Sequence, residues 1–240
     1  MFKVNISIDD VSPHPRSSLE IIDQCNRIIN IFPDAKFTLF VPAAYWRTMR
    51  PGVSTMHPLQ LDLFPDFCQS LIDLPKENFE IGYHGFYHGI PGKTDNDEMR
   101  YLSYEDCIQM LNAIFEVIKR AGLEDTFSSI LRPPAWRMSH SCFDACRDKG
   151  VKILALSPDK YDDGSLDYGD KADEFKNVVY YNVCPPYKKL ELFPKTEMVY
   201  HACDWDKNHL NKKNTDDLIS FLKPHKENIK FCFMEGLLDD

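Results

Sequence analysis

The chain has 240 residues, enough to bury one large hydrophobic core without support from disulfides or metals. Its net charge of −9 repels nucleic-acid phosphates and anionic lipids, which argues against either as a partner for the whole molecule. No stretch approaches the roughly 18 uninterrupted apolar residues of a membrane-spanning helix.

The start of the chain and its cysteines bear on the cellular compartment. The first residues lack the basic region, the long apolar stretch and the cleavage site of a secretory signal, so we expect a cytoplasmic protein. None of the eight cysteines forms a Cys-x-x-Cys pair, which disfavours a zinc ribbon or a thioredoxin-like site. We therefore expect reduced thiols, most of them packed as small hydrophobic side chains.

Apolar runs alternate along the chain with segments of helical periodicity. The runs predict strands at residues 3–8, 36–40, 79–81, 128–131, 152–156, 178–183, 198–200 and 229–233. The periodic segments predict helices at residues 18–30, 59–74 (interrupted at Pro65), 103–121, 140–149 and 215–222. The 103–121 helix has the clearest ends, because Ser103 is a typical N-cap residue and Gly122 a typical stop. The long segment 41–58 shows neither pattern and is a candidate lid.

The alternation of strands and helices predicts parallel β-α units. Seven or eight such units in a chain of this length favour an α/β barrel. Parallel barrels carry their chemistry on the loops that follow the strands. Polar residues directly after the predicted strands are therefore the first candidates for a functional site.

The first predicted strand ends in two adjacent carboxylates, Asp9 and Asp10. Such a pair is costly at the end of an apolar run unless something positive lies between the two groups. A pair of aspartates is also typical of a turn or of a helix start, so this motif alone leaves both interpretations open.

The 79–81 strand is followed by two histidines, His84 and His88. At this spacing we expect both rings on one face of a helical turn, close enough to reach one ion. No glutamate lies between them, which excludes the zincin arrangement, so the rest of a metal site would have to come from elsewhere in the chain. Asp9 and Asp10 could supply it. Ordinary surface or core histidines are the alternative.

Two later strand ends add a cation and a third histidine. Arg132 precedes two prolines, which stiffen the loop, and a buried arginine there would need a carboxylate partner. His201 follows the 198–200 strand. Taken singly, the first motif also fits a rigid structural turn and the second a packed histidine.

The order of these motifs resembles that of the NodB-homology polysaccharide deacetylases, carbohydrate esterase family 4 in the broad sense. More narrowly, the chain is similar to a divergent branch whose first motif reads as Ser7-Ile8-Asp9-Asp10-Val11-Ser12-Pro13. The family's motifs match Asp9-Asp10, His84 with His88, Arg132-Pro133-Pro134 and Val199-Tyr200-His201. The resemblance extends from residue 6 to about residue 205. It implies a distorted parallel (β/α)7-type barrel, and we expect residues 1–240 to form a single catalytic domain.

The resemblance also implies a role for each matched residue. The implied metal ligands are Asp10, His84 and His88, which suit one divalent ion, with zinc expected and cobalt, nickel, iron or manganese as alternatives. The implied catalytic residues are Asp9 as general base, Arg132 as the group that orients it, and His201 as general acid. A backbone N–H near Ala135 would help to stabilise an oxyanion.

The sequence departs from the family pattern at two points. Many relatives have an aromatic residue directly after the double proline, whereas this chain has Ala135 and then Trp136. The family's aspartate that supports the acid histidine has three candidates here, Asp159, Asp162 and Asp163. We favour Asp159, because it lies nearest the end of the 152–156 strand.

The function implied is hydrolysis of an N-acyl group, most simply N-acetyl, on an amino sugar or a related glycan precursor. Trp136, Trp205 and Trp46 lie in predicted loops and are candidates to stack on a sugar ring, although each could equally be a packing residue. Two alternatives remain open, because a fold does not fix a function. The chain could be a deformylase or cyclic-amide hydrolase on the same fold, or a sugar-binding protein without activity.

Overall fold

The computed structural model describes residues 1–158 and 168–238. Its strands are β1 (Phe2–Asp9), β2 (Phe37–Val41), β3 (Ala44–Tyr45), β4 (Leu59–Gln60), β5 (Phe79–Tyr83), β6 (Gly89–Ile90), β7 (Thr94–Asp97), β8 (Phe127–Leu131), β9 (Ile153–Leu156), β10 (Val178–Tyr180), β11 (Lys195–His201) and β12 (Ile229–Phe231). Its α-helices are α1 (Ile22–Ile29), α2 (Pro65–Ile72), α3 (Tyr104–Arg120), α4 (His140–Asp148), α5 (Gly169–Phe175) and α6 (Lys212–Leu222). Each of the eight predicted strands corresponds to one of these, although the ends differ by a few residues.

Seven parallel strands form a nearly closed barrel in the order β10-β9-β8-β5-β2-β1-β11. Beyond the end of β10, the N–H of Val183 donates to the carbonyl of Glu197 at 3.2 Å, and the N–H of Val199 donates back to Val183 at 2.9 Å. These bonds join the two edges of the sheet. The predicted α/β barrel in a single domain is confirmed.

Alternation along the strands sorts side chains between the outside and the inside of the barrel. In β1, Ile6 and Ile8 belong to the large core that also contains Ile28 of α1 and Leu218 of α6. The intervening residues of β1 include Ser7 and Asp9, which are polar and nevertheless buried. Because successive side chains of a strand point to opposite faces, the polar set points into the barrel. The face of β1 that lines the barrel interior therefore carries buried polar groups, which need hydrogen-bond partners.

The amino end of the barrel is closed by the C-terminal segment. The strand β12 pairs with the start of β1, and the side-chain amide of Asn5 donates to the carbonyl of Cys232 at 2.9 Å. Glu80 accepts hydrogen bonds from the Thr38 hydroxyl at 2.7 Å and from the N–H of Met234 at 2.8 Å. Met234 is fully buried in a cluster inside the barrel. The open end is therefore the carboxyl end of the strands.

The helices agree with the sequence where their caps are strong and differ where they are weak. The N-terminus of α3 is capped as predicted, since the Ser103 hydroxyl accepts the N–H of Asp106 at 3.1 Å. The predicted helix 59–74 was wrong in its first half, because β4 and a 3₁₀ turn at Leu61–Leu63 precede α2. The helix α2 begins only at Pro65, because the first residue of a helix has no intrahelical acceptor for its N–H and proline there loses no hydrogen bond. The sequence did not predict α5 or the hairpin of β6 and β7.

Two further expectations concern membranes and thiols. Among the described helices, none combines the length and the apolar character that a bilayer crossing requires. All eight cysteines are free thiols, and only Cys232 is more than slightly accessible to solvent.

Candidate metal centre and active site

The site begins at the carboxyl end of β1, where Asp9 and Asp10 are both buried. Adjacent side chains of a regular strand point to opposite faces, which would separate the two carboxylates. Asp10 instead has a φ angle of 65°, which turns the chain out of the strand directly after Asp9. The Ser17 hydroxyl holds this turn by donating to the carbonyl of Asp10 at 2.6 Å.

The two histidines come from a bend after β5, and the prediction of a helical turn there was wrong. The bend contains two positive φ angles, 74° at Gly85 and 82° at His88, which no helix would have. It is held by Glu98, which the sequence analysis missed. The Glu98 carboxylate accepts the backbone N–H groups of residues 86, 87 and 88 at 2.8, 2.5 and 3.2 Å. Burial raises the pKa of Glu98 to about 7 against the lowering effect of these hydrogen bonds.

Hydrogen bonds orient both imidazole rings in the same way. His84 Nδ1 lies 2.9 Å from the carbonyl oxygen of Arg132, and His88 Nδ1 lies 2.8 Å from that of Asp95. A carbonyl oxygen only accepts, so each Nδ1 carries a hydrogen and each Nε2 is left with its lone pair. Burial and the nearby Arg47 guanidinium also lower the pKa of His88 to about 4, so its ring is neutral at pH 7.

These lone pairs converge on Asp10 in a way that fits a metal ion. Asp10 Oδ1 lies 3.5 Å from His84 Nε2 and 2.9 Å from His88 Nε2, and the three atoms lie within 4.8 Å of one another. Ligand atoms about 2.1 Å from a tetrahedral zinc ion are themselves about 3.4 Å apart. Within the described residues, Asp10 Oδ1 and His84 Nε2 are buried without a hydrogen-bond partner. A cation would satisfy both atoms and would relieve the repulsion between facing lone pairs. The group of Asp10, His84 and His88 can therefore hold a divalent metal.

The other aspartate is held by Arg132, at the carboxyl end of β8. Arg132 Nη1 donates to Asp9 Oδ1 at 2.6 Å and to the Ser7 hydroxyl at 2.7 Å. The guanidinium is fully buried, and its central carbon lies 4.0 Å from the centre of the Phe40 ring. The predicted carboxylate partner of Arg132 is therefore Asp9 itself.

Arg132 has a second carboxylate partner, Glu197 in β11, that the sequence analysis missed. Arg132 Nη2 donates to Glu197 Oε1 at 2.7 Å, and the Ser7 hydroxyl also bonds to this oxygen. Burial raises the pKa of Glu197, although Arg132 opposes the rise. A charged residue at an inward position of an apolar run was the signal that could have identified Glu197.

His201 ends β11 directly beside Asp9, with which it pairs in register. Its ring lies edge-on to that of Trp136, with ring centres 5.7 Å apart. Its Nδ1 is buried and has no hydrogen-bond partner in the residues covered by the structure. The predicted supporting aspartate, Asp159, lies outside the described residues, as do Asp162 and Asp163.

These groups lie in one cleft of about 410 Å³ at the open end of the barrel. Asp9, Asp10, His84, His88 and His201 all line it. Its walls include Ala135, Trp136 and Trp205, the predicted substrate contacts, together with Tyr181 and Tyr187. Trp46 does not line the cleft, because it packs on Tyr87 and its indole N–H donates to the carbonyl of Thr55 at 3.0 Å.

The segment 41–58, proposed above as a lid, contributes Arg47 to the site. Its side chain is 5% exposed, and Nη2 lies 2.9 Å from Asp10 Oδ2. Burial would raise the pKa of Asp10, but His88 and this guanidinium hold that pKa well below its ordinary value. The sequence analysis included Arg47 only within the 41–58 segment, because nothing local to it indicates a partner 37 residues away.

Comparisons with known proteins find the fold but no sequence relative. No family model matches this chain, and neither does any curated protein. The solved structure of a "putative polysaccharide deacetylase" from Mycobacterium smegmatis matches with a TM-score of 0.57 and 13% identity, over 98% of this chain and 87% of that one. The 4-alpha-glucanotransferase from Thermococcus litoralis matches with a TM-score of 0.54 and 14% identity, over 99% of this chain and 40% of that enzyme. At these identities the matches support the barrel fold alone.

Proposed function

We propose that the protein is a metal-dependent amide hydrolase that removes an N-acyl group, in the first instance N-acetyl, from an amino sugar or a related glycan precursor. The observation that carries the proposal is the convergence of three buried, inward-facing ligand atoms on Asp10, His84 and His88, beside a carboxylate on Asp9 and an imidazole on His201. A site that only bound a metal would need neither of the last two groups.

A divalent ion held by these ligands would polarise the amide carbonyl and make an adjacent water easier to deprotonate. Asp9 is the group proposed to accept the proton of the attacking water. Arg132 donates to Asp9 Oδ1, which fixes the orientation of that carboxylate and leaves its second oxygen for the water. The water oxygen then bonds to the carbonyl carbon.

Collapse of the resulting tetrahedral species breaks the bond between carbon and nitrogen, and the departing amine needs a proton. His201 is the proposed donor, since it lies beside Asp9 across the β1–β11 pair and lines the same cleft. For the oxyanion, the proposal assigns the backbone near Ala135. The N–H of Trp136 is bonded to the carbonyl of Pro133 at 2.8 Å.

The aromatic walls favour a sugar as substrate. Trp136 packs on Tyr181 with ring centres 5.1 Å apart, and the resulting surface borders the metal ligands. Aromatic faces stack well on the apolar face of a pyranose ring, and a cleft of this volume accommodates one or two such rings.

The deciding experiment combines metal analysis of the purified chain with product detection. We expect about one equivalent of a divalent metal, zinc before cobalt, nickel, iron or manganese, and acetate release from N-acetylated amino sugars that chelation abolishes and metal restores. The same panel should include N-formyl and cyclic amides, with formate and ring opening as readouts. A metal-free protein, or a metal-loaded protein inactive on every amide tested, would rule the proposal out.

A further inference from the structure

Arg47 is engaged in a set of hydrogen bonds that uses most of its donors. Its Nε donates to the Tyr45 hydroxyl at 2.9 Å. Its Nη1 donates to the carbonyl of Asp95 at 2.6 Å and to the Asn96 side chain at 3.2 Å. Its Nη2 donates to Asp10 Oδ2 at 2.9 Å. A guanidinium bound by four oxygen acceptors from three parts of the chain is fixed in one position, and it is not available to bind a substrate.

The consequence falls on Asp10, whose two oxygens have different surroundings. Oδ2 is occupied by Arg47 and lies 3.4 Å from the Cys203 sulfur. Oδ1 faces His84 and His88 and has no hydrogen-bond donor among the residues that the structure covers. Only one carboxylate oxygen is therefore free to face an ion between the histidines.

Arg47 also acts on a second ligand through a shared acceptor. The carbonyl oxygen of Asp95 accepts both Arg47 Nη1 at 2.6 Å and His88 Nδ1 at 2.8 Å. The position of the His88 ring is thus set by the same carbonyl that Arg47 holds. One side chain of the 41–58 segment fixes two of the three ligands.

We propose that Arg47 is a positioning residue for the metal, which makes Asp10 a one-oxygen ligand and so selects a small ion of low coordination number over larger ones. The inference rests on the proposed function. An ion such as Mn²⁺, which suits carboxylate oxygens and more ligands, gains from a two-oxygen carboxylate, whereas a four-coordinate zinc site needs only one oxygen from it.

The positive charge of Arg47 works against metal binding. We therefore attribute its position to the hydrogen-bond geometry that it imposes on the ligands. A guanidinium in contact with a ligand repels a divalent cation, so a purely electrostatic design would omit it. Lysine would keep the charge but has no planar fork to bridge Asp10, Asp95 and Asn96. Replacement by lysine therefore separates the two effects.

The experiment titrates metal-free protein with Zn²⁺ and Mn²⁺ against a competing chelator, and records the visible spectrum of the Co²⁺ form, whose intensity reports coordination number. The variants are Arg47→Met, Arg47→Lys and the milder Tyr45→Phe, which removes one acceptor of Arg47 without changing any charge. Arg50→Gln is the matched control, because Arg50 lies in the same segment, is exposed at the rim of the same cleft and, among the described residues, has an ion pair with Asp95 alone, at 3.9 Å. Unfolding curves identify any variant that fails to fold.

We expect the preference for Zn²⁺ over Mn²⁺ to fall by about tenfold or more in Arg47→Met and Arg47→Lys, in the range usual for residues that orient metal ligands. The Co²⁺ spectrum should weaken in both, with a smaller change in the same direction for Tyr45→Phe and none for Arg50→Gln. Folded Arg47 variants with the parent preference and spectrum would overturn the inference. So would tighter Zn²⁺ binding with an unchanged spectrum, since that result would mean repulsion alone. If the parent protein binds no metal, the proposed function itself fails, and the two failures are thereby distinguished.

Discussion

Strained backbone conformations concentrate at the site. Asp10, His88, Ala135 and Trp136 all have positive φ angles, between 52° and 82°, although none is glycine. Each such residue costs roughly 1–2 kcal/mol relative to an ordinary conformation. The strain persists because hydrogen bonds and packing from several strands determine these positions, as at Asp10, whose carbonyl is bound by Ser17.

At the scale of single residues, Asp9→Asn separates the roles of the two aspartates. Asparagine keeps the size of the side chain and can still accept the hydrogen bond from Arg132, but it cannot take a proton from water. We expect unchanged metal content and a fall in kcat of about 10²–10⁴-fold.

The matched comparison is Asp10→Asn, which should lower the metal content as well as the rate. Both quantities are measured on the same preparations, by elemental analysis and by acetate release. Parent-like turnover in Asp9→Asn would remove Asp9 from the role of base.

At the scale of elements, the histidine bend depends on Gly85. A Cβ atom added there would overlap the Glu98 carboxylate and would lie 2.7 Å from Pro134 Cγ, at a φ of 74°. Gly122, after α3, has a similar φ of 69° but open space around it. Comparing alanine substitutions at Gly122 and at Gly85 therefore separates the cost of backbone strain from the cost of the steric overlap.

We expect Gly122→Ala to lower the free energy of unfolding by about 1 kcal/mol, the cost of the conformation. Gly85→Ala should lower it by about 1–3 kcal/mol more, because the bend must shift, and should also weaken metal binding. Urea unfolding and metal titration of both variants test this. Equal losses in the two variants would mean that Glu98 and Pro134 yield without cost.

A second element-scale prediction concerns the attachment of the 41–58 segment to the loop after β1. His14 is buried, with Nε2 3.0 Å from the carbonyl of Val53 and Nδ1 accepting the N–H of Arg16 at 3.1 Å. This arrangement requires a neutral ring, and burial lowers the pKa of His14 below its ordinary value of 6.5. The unfolded chain therefore binds a proton at a higher pH than the folded chain does.

The direction in which stability changes with pH follows from that difference. As the pH falls below about 6.5, the unfolded state gains protons first, so the stability contributed by neutral His14 is lost progressively. We expect the free energy of unfolding to fall more steeply with acidification in the parent protein than in His14→Gln, with the metal removed from both. Parallel curves would show that His14 does not titrate differently on folding.

At the scale of the whole molecule, the barrel is closed at one end and chemically active at the other. Met234 of the C-terminal segment is fully buried within the barrel cluster, next to Phe40 and Ile130. Phe40 also lies beneath the Arg132 guanidinium, 4.0 Å from its central carbon. The interior packing therefore supports the floor of the site from the opposite end.

Met234→Ala should lower the free energy of unfolding by about 2–5 kcal/mol, because it leaves a cavity that a nearly closed sheet cannot collapse to fill. Met56→Ala is the control, since Met56 is 86% exposed and its loss should change stability by less than about 0.5 kcal/mol. Chemical denaturation of both variants provides the measurement. A small effect at Met234 would mean that the C-terminal segment is not part of the cooperative fold.

Short-range pattern accounts for what the sequence by itself determined. Apolar runs located all eight predicted strands, because a buried strand appears in the sequence as a short run of apolar residues. The polar residues at their carboxyl ends, Asp9, Asp10, His84, Arg132 and His201, then had to lie together, since parallel strands end on one side of a barrel. This geometric rule predicted that these residues would share one site, whereas the choice of metal ligands and the pairing of Asp9 with Arg132 came from the family resemblance.

Only the tertiary structure decided the groups that hold this site in place. Glu98 replaces the expected helical turn with a bend, Glu197 shares Arg132 with Asp9, and Arg47 occupies one oxygen of Asp10. In their local sequence Glu98 and Arg47 look like ordinary surface charges, and only Glu197 has a local signal, its place in a buried strand. Their partners lie 10, 65 and 37 residues away, and a contact across such distances depends on how the strands and loops pack, which local preference does not encode.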